Sequence, residues 1–145
     1  MSKEPMDVEG VLEGLHRVLP LQLRSANAYT LAAASIVGFT YANLSEQLFA
    51  FAQRDLEDAR RLAEKIVTLG GDLCESAPGF SVADDPEQTI QRLIEIETEA
   101  IEALQDVIPA TGQEGRSEAL EHRLEHVIMR KQEQVDALVR SSRQP

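Results

Sequence analysis

Apolar residues recur every three or four positions in four separate stretches of the chain. This spacing is typical of one buried face of an α-helix, where successive side chains are about 100° apart. Ala, Leu, Glu, Gln and Arg dominate the composition and aromatic residues make up only 4%, so residues that favour strands are scarce. The pattern predicts an all-α protein with helices over about residues 8–37, 44–69, 86–108 and 117–140.

Helix-capping residues stand near the predicted helix starts, and helix-ending residues follow the predicted ends. Pro20 falls inside the first helix, where a missing backbone donor should kink or split it. Gly70 and Gly71 should end the second helix. The predicted caps are Asp7 for the first helix, Asn43 with Glu46 for the second, Asp85 with Pro86 and Gln88 for the third, and Ser117 for the fourth.

The longest connection, residues 72–85, is too long for a tight turn between antiparallel helices. It holds Pro78, Gly79 and two aspartates, and it can span the full length of a helical bundle. We therefore expect the second and third helices to run parallel, in a single four-helix-bundle domain spanning residues 1–145.

Each predicted helix carries a polar or charged residue within its apolar face. Burying an unpartnered charge costs several kcal/mol, roughly, or forces the group to neutralise. The polar groups of the four helices should therefore meet at the bundle centre, which is the layout of a dimetal site or of a site that has lost its metals. The residues concerned are Gln22, Asp55, Asp58, Glu97, Lys131 and Gln134.

The net charge of −11 argues against nucleic acid as a partner, because an acidic protein repels phosphate backbones. No segment approaches the roughly 18 apolar residues that a membrane span requires, so we expect a cytoplasmic protein without membrane contact. The single cysteine, Cys74, lies in the long connection and is more consistent with an incidental thiol than with a catalytic one.

Two motifs resemble those of bacterioferritin, within the ferritin-like superfamily. Residues 22–29 resemble that family's Glu-Leu-x-Ala-Ile-Asn-Gln-Tyr, with Gln22 at the metal-binding Glu and Tyr29 at the tyrosine beside the site. Residues 55–66 resemble Glu-Met-x-His-Ala-Asp-Arg-x-Ile-Glu-Arg-Ile. The spacing between the two motifs is the same in both. The resemblance covers residues 11–140 and implies a ferritin-like four-helix bundle with a long crossover.

The resemblance also implies a degenerate dimetal site. The family's two Glu-x-x-His motifs become Asp55-x-x-Asp58 and Lys131-x-x-Gln134, and only Glu97 keeps the family's ligand type. Leu56 replaces the methionine that ligates haem, so haem is not expected. Iron or another divalent metal is the only cofactor that the resemblance implies.

Three interpretations of the polar residues remain open. In the first, Lys131 forms a salt bridge with Glu97 or Asp55 in a metal-free bundle, a replacement that is similar to the lysine bridge of animal light-chain ferritin. In the second, one ion binds to oxygen ligands from Gln22, Asp55, Asp58 and Glu97. In the third, the residues are partly solvated and have no function.

These interpretations lead to three candidate functions. The first is a ferritin-like or bacterioferritin-like protein of iron handling or storage that lacks a competent ferroxidase centre. It would act as a structural or shell subunit in a homo-oligomer, either a dimer or a larger shell, beside a ferroxidase-competent partner subunit. The second is a metal-dependent oxidase with an atypical single-metal or dimetal site. The third is a metal-free helical dimer that serves as an interaction module.

Two further groups of residues favour surface roles. His122 and His126 are four residues apart, which could place a metal on one helix face, but they point away from the apolar stripe and no third ligand is evident. The acidic residues of the third helix form a solvated face, or else the acidic wall of a shell. They are Glu95, Glu99, Glu102 and Asp106.

Overall fold

A computed structural model describes residues 3–143 and shows four long α-helices. They are α1 (Val8–Ser35), α2 (Ala42–Thr68), α3 (Pro86–Val107) and α4 (Gly115–Ser142). Short 3-10 helices at Phe39–Tyr41 and Ile108–Thr111 precede α2 and follow α3. No strand occurs among residues 3–143, and the predicted all-α four-helix bundle is confirmed.

Contacts at the helix ends define the topology. The Ser45 hydroxyl at the start of α2 donates to the Ala33 carbonyl near the end of α1, at 2.7 Å. The Asp7 amide before α1 donates to the Ala110 carbonyl after α3, at 2.9 Å. Both α2 and α3 are therefore antiparallel to α1, so α2 and α3 run parallel to each other, as the length of residues 72–85 predicted.

The bundle has an apolar core at each end. The first core joins the start of α1, the ends of α2 and α3 and the start of α4, and includes Leu15, Leu62, Ile66, Leu104 and Leu120. The second joins the opposite ends and includes Tyr29, Leu48, Phe51, Leu93 and Leu138. Burying each of these side chains contributes roughly 1.5–3 kcal/mol, and a buried polar layer lies between the two cores.

The caps of α1 and α3 follow the sequence prediction. The Asp7 carboxylate accepts a hydrogen bond from the Gly10 amide at 3.0 Å, and the Asp85 carboxylate accepts one from the Gln88 amide at 2.9 Å. Each satisfies an amide that has no partner within its own helix. The helix α1 passes through Pro20 without the predicted split.

The predicted caps of α2 and α4 are wrong. The helix α2 begins at Ala42 after a 3-10 turn, and its N-cap, Tyr41, makes no side-chain capping bond, so Asn43 already lies inside the first turn. The N-cap of α4 is Glu114, and Ser117 is its third helical residue. The Glu114 carboxylate accepts from the Ser117 amide, while the Ser117 hydroxyl accepts from the Glu114 amide at 3.0 Å.

This reciprocal cap should stabilise the protein measurably. Ser117 is 1% exposed, and Ser117→Ala is expected to lower the free energy of unfolding by about 0.5–2 kcal/mol, because it leaves the Glu114 amide without its acceptor. Urea denaturation of Ser117→Ala, Glu114→Ala and the double variant would measure this. Strictly additive losses would contradict a shared cap.

The crossover is tied to the first helix near the middle of the bundle. His16 Nδ1 of α1 contacts Glu75 Oε1 of the crossover, and Glu75 Oε2 accepts from the Cys74 amide at 3.0 Å. The contact holds residues 73–75 over the α1–α2 face. None of the helices within residues 3–143 is both long enough and apolar enough to span a membrane.

Candidate functional site: a buried charged layer

The six polar residues singled out in the sequence are all buried at the middle of the bundle. Their exposed fractions are 0–1%, although four of them bear a formal charge at neutral pH. Helical periodicity places one or two of them on the inward face of each helix. They are Gln22 on α1, Asp55 and Asp58 on α2, Glu97 on α3, and Lys131 and Gln134 on α4.

The ammonium group of Lys131 lies at the centre of this layer. Its Nζ atom is 2.8 Å from Glu97 Oε1 and 3.4 Å from Asp55 Oδ2. The exposed fractions of the three side chains are 0–1%, so solvent screens these pairs far less than surface ion pairs. The layer is thus a buried ionic cluster in which one lysine faces carboxylates from two other helices.

The neutral side chains of Gln134 and Tyr29 also donate hydrogen bonds to the carboxylates of the layer. Gln134 Nε2 lies 2.9 Å from Glu97 Oε2 and 3.2 Å from Asp55 Oδ1. The Tyr29 hydroxyl donates to Glu97 Oε2 at 3.0 Å. Glu97 therefore accepts hydrogen bonds from Lys131, Gln134 and Tyr29.

Gln22 is buried beside the layer but makes a different contact from the one expected of a ligand. Its Nε2 atom donates to the Asp55 main-chain carbonyl at 3.0 Å. Gln22 Oε1 and Gln134 Oε1 are buried and accept no hydrogen bond within residues 3–143. A buried acceptor that is left unsatisfied costs about 1–3 kcal/mol of stability.

Asp58 belongs to a separate ion pair at the edge of the layer. Its Oδ2 atom lies 3.3 Å from Arg130 Nε, and no hydrogen bond joins it to Lys131. The Arg130 side chain is 28% exposed and reaches the buried Asp58. Position 130 lies on the flank of α4 next to α2, and periodicity alone does not show which flank faces a charged neighbour.

Lys131 stays charged despite its burial. Burial alone would lower the pKa of Lys131, but attraction to Glu97 and Asp55, together with the hydrogen bond to Glu97, raises that pKa above its usual value. Burial also raises the pKa of Tyr29 well above its usual value, and the charges of Glu97 and Asp55 raise it further. Tyr29 therefore remains a neutral donor.

Asp55 is the residue of the layer that titrates near neutrality. Burial raises its pKa to about 7, opposed by Lys131 and reinforced by the charge of Glu97. Burial also raises the pKa of Asp58, with Arg130 as the main opposing influence. Both carboxyl groups therefore bind protons more tightly in the folded protein than in the unfolded chain.

This shift predicts that stability falls as pH rises. The folded-state pKa of Asp55 exceeds the usual value of 3.8, so proton binding by Asp55 stabilises the folded protein. This stabilisation is fully present below pH 3.8 and is lost as the pH approaches 7. The slope is at most about 1.4 kcal/mol per pH unit for one proton. Chemical denaturation between pH 5 and pH 8 should show a shallower decline for Asp55→Asn than for the wild type. Identical slopes would contradict the raised pKa.

The donor set does not fit a dimetal centre. Within residues 3–143, no group of three or more His, Cys, Asp or Glu side chains is arranged to hold a metal ion. The cationic Lys131 lies within 3.4 Å of both Asp55 and Glu97, so a divalent ion at these carboxylates would face its positive charge at short range. Asp58, the third carboxylate of the proposed single-ion site, pairs with Arg130 instead.

The remaining candidates lie on the surface. His122 and His126 are exposed, and His126 Nε2 is 3.3 Å from Arg130 Nη1. Cys74 is an exposed free thiol. The acidic residues of α3 outside the buried layer, Glu95, Glu99, Glu102 and Asp106, are exposed as well, and Glu99 forms a 2.7 Å salt bridge with Arg24. Their exposure agrees with both predictions, a solvated face and the acidic wall of a shell.

Comparison with known proteins agrees with this architecture. A solved structure described as a ferritin-like, diiron-carboxylate protein from Bacillus anthracis str. Ames superposes with a TM-score of 0.86. The match covers 99% of this chain and 100% of the other at 24% identity, so it shows a shared fold. No curated protein matches the sequence. The family described as Ferritin-like domain matches residues 12–140, nearly the whole chain, and the protein therefore belongs to the ferritin-like domain family.

Proposed function

We propose that this protein is a bacterioferritin-type subunit of iron handling or storage in which a lysine-centred ionic cluster replaces the ferroxidase centre. In this role it contributes structure, as a shell or partner subunit, and iron is cargo that other subunits oxidise. It works in the cytoplasm. Family membership supports the iron-related role, and the buried layer supports the loss of catalysis.

The observation that carries this proposal is the position of Lys131. Its Nζ atom, 2.8 Å from Glu97 and 3.4 Å from Asp55, supplies the positive charge that these carboxylates require when buried. A metal ion would supply the same charge in a dimetal bundle protein. With Lys131 charged and Asp55 taking up a proton at a pKa of about 7, the two carboxylates need no metal ion for charge balance, and dioxygen chemistry has no site.

Iron oxidation tests this function directly. Under air, Fe²⁺ added to the purified protein is expected to oxidise at the rate of protein-free buffer, because the layer offers no dimetal site. Asp55→Ala should leave that rate unchanged. Protein-dependent oxidation that Asp55→Ala abolishes would overturn the proposal and support a metal-dependent oxidase.

Self-association through the α1–α2 face is part of the same proposal. Large apolar side chains are exposed on this face, with Phe49 47%, Leu56 58% and Leu73 52% exposed. An open, mainly apolar groove of about 600 Å³ runs between Leu23, Leu56 and Leu73. Exposed apolar patches of this kind mark contact surfaces. Glu57 and Arg60 at its rim carry opposite charges, which suits a two-fold contact between identical surfaces.

A charge placed in this groove should weaken self-association. Leu56→Glu is expected to shift the protein toward monomer in analytical ultracentrifugation, because it buries an unpaired carboxylate at the contact. Met129→Glu, at an equally exposed site on α4, is the matched control and should leave the assembly unchanged. A monomeric wild type would contradict the shell role.

A further inference from the structure

A basic cluster lies beside the charged layer, on the flank of α4 that faces α2. It consists of Arg123, His126 and Arg130, which are three, four and seven residues apart and so share one helix face. Arg130 Nη1 lies 3.3 Å from His126 Nε2, and Arg130 Nε lies 3.3 Å from Asp58 Oδ2. The cluster thus contacts α2 through Asp58.

The α2 side of this contact adds another cation. Arg54 precedes Asp58 by one helical turn, and its guanidinium lies 5.8 Å from the centre of the Phe51 ring. Within residues 3–143, neither Arg54 nor Arg123 makes a salt bridge. The flank between α2 and α4 therefore carries three guanidinium groups, and Asp58 is the one carboxylate in the described part of the chain that forms a salt bridge with any of them.

The pairing of Asp58 with Arg130 is itself incomplete. The Arg130 Nε and Asp58 Oδ2 atoms are buried, but neither has a hydrogen-bond partner, because their 3.3 Å contact lacks hydrogen-bond geometry. The Arg130 Nε donor therefore lacks a hydrogen-bond acceptor, although Asp58 Oδ2 stands 3.3 Å away. Burial raises the pKa of Asp58, while the charges of Arg130, Lys131 and Arg123 oppose that rise, so Arg123 acts on the same carboxylate as Arg130.

We propose that the flank between α2 and α4 binds a phosphate-class oxyanion, held by Arg123 and Arg130 of α4 and by Arg54 of α2. Planar guanidinium groups donate paired hydrogen bonds to tetrahedral oxyanions, which makes arginine the preferred residue for such ligands. The net charge of −11 repels anions from the protein as a whole, so binding has to come from this local excess of cations. This site requires no iron and is independent of the proposed function.

Calorimetric titration with inorganic phosphate, in buffer whose ionic strength is matched with chloride, tests this site. Arg123→Gln is expected to weaken phosphate binding by about tenfold, which corresponds to the loss of one charge-assisted contact. Arg140→Gln is the matched control, since Arg140 is exposed on the same helix and its replacement removes the same charge. Asp58→Asn should tighten binding, because it removes the competing carboxylate.

The contradicting results are equally specific. Binding heats for phosphate that are no larger than those for chloride would contradict the proposed site. Equal phosphate affinities of the Arg123→Gln and Arg140→Gln variants would contradict it as well. A parallel titration with a nucleoside monophosphate separates two sources of the same group. A nucleoside monophosphate that binds more weakly than inorganic phosphate would identify the free ion as the ligand. One that binds equally or more tightly would identify a phosphomonoester. The Asp58→Asn variant retains every cation of the cluster and keeps the test valid if an arginine variant fails to fold.

Discussion

Lys131→Met is expected to lower the free energy of unfolding by about 3–5 kcal/mol, because removing one partner of a buried ion pair leaves the other charges uncompensated. Lys131 is fully buried between Glu97 and Asp55, and methionine fills much of its volume without its charge. Guanidinium denaturation at pH 7 measures the loss. Lys65→Met, which removes a partly exposed lysine in the last turn of α2, is the matched control and should change stability by less than about 1 kcal/mol.

The destabilisation of Lys131→Met should depend on pH and on the partner carboxylates. The pKa of Asp55 is raised to about 7, so lowering the pH protonates this carboxyl group and removes its unpaired charge. The loss should therefore be smaller at pH 5 than at pH 8. Adding Glu97→Gln to Lys131→Met should recover part of the stability, since it removes a buried charge that lacks its counterion. A full-size loss at both pH values, unchanged in the double variant, would show that Lys131 acts through packing alone.

Reversing the charge at position 131 should create metal affinity. The double variant Lys131→Glu with Asp58→His restores a carboxylate and an imidazole at two of the replaced positions, beside Glu97 and Asp55. We expect Co²⁺ to bind this variant at least about a hundredfold more tightly than the wild type, because even changes to groups around a metal's ligands alter affinity by about 10–100-fold. Cobalt absorption and a metal-dependent rise in melting temperature would report binding.

The single variant Asp58→His is the matched control for this reconstruction. It adds an imidazole but keeps the Lys131 cation, so its affinity for Co²⁺ should remain close to that of the wild type. Equal Co²⁺ affinity for the wild type and the double variant would contradict the view that this layer occupies the place of a metal centre.

The radial position of each site residue could be predicted from the sequence because helical periodicity is a local property. Lys131 and Glu97 lie near the centre of the apolar stripes of α4 and α3, and both are buried in the structure. The partners of each residue could not be predicted in the same way. They depend on the axial register of the helices and on which flank of each helix faces its neighbour, and neither is encoded in the spacing of apolar residues.

Asp58 and Arg130 show the consequence. Asp58 shares the α2 stripe with Asp55, but it is turned toward α4 and meets Arg130 instead of Lys131.

The cap of α4 shows the same limit on a local scale. Both Ser117 and Glu114 can cap a helix. Because Glu114 is the N-cap, Ser117 becomes the third helical residue, and its hydroxyl accepts a hydrogen bond from the Glu114 amide. The parallel arrangement of α2 and α3 was predictable, because the length of the crossover alone requires it.

Fe²⁺ binding measured without oxygen tests the central claim most directly. Native mass spectrometry after anaerobic incubation with Fe²⁺ reports the mass of the assembly and the number of ions that each chain holds. If the Lys131 ammonium occupies the place of a metal in the layer, the wild type and Glu97→Gln should hold the same amount of iron, confined to weak sites on the acidic surface. One or two ions per chain that are lost in Glu97→Gln would show that the layer binds metal, and would contradict the account.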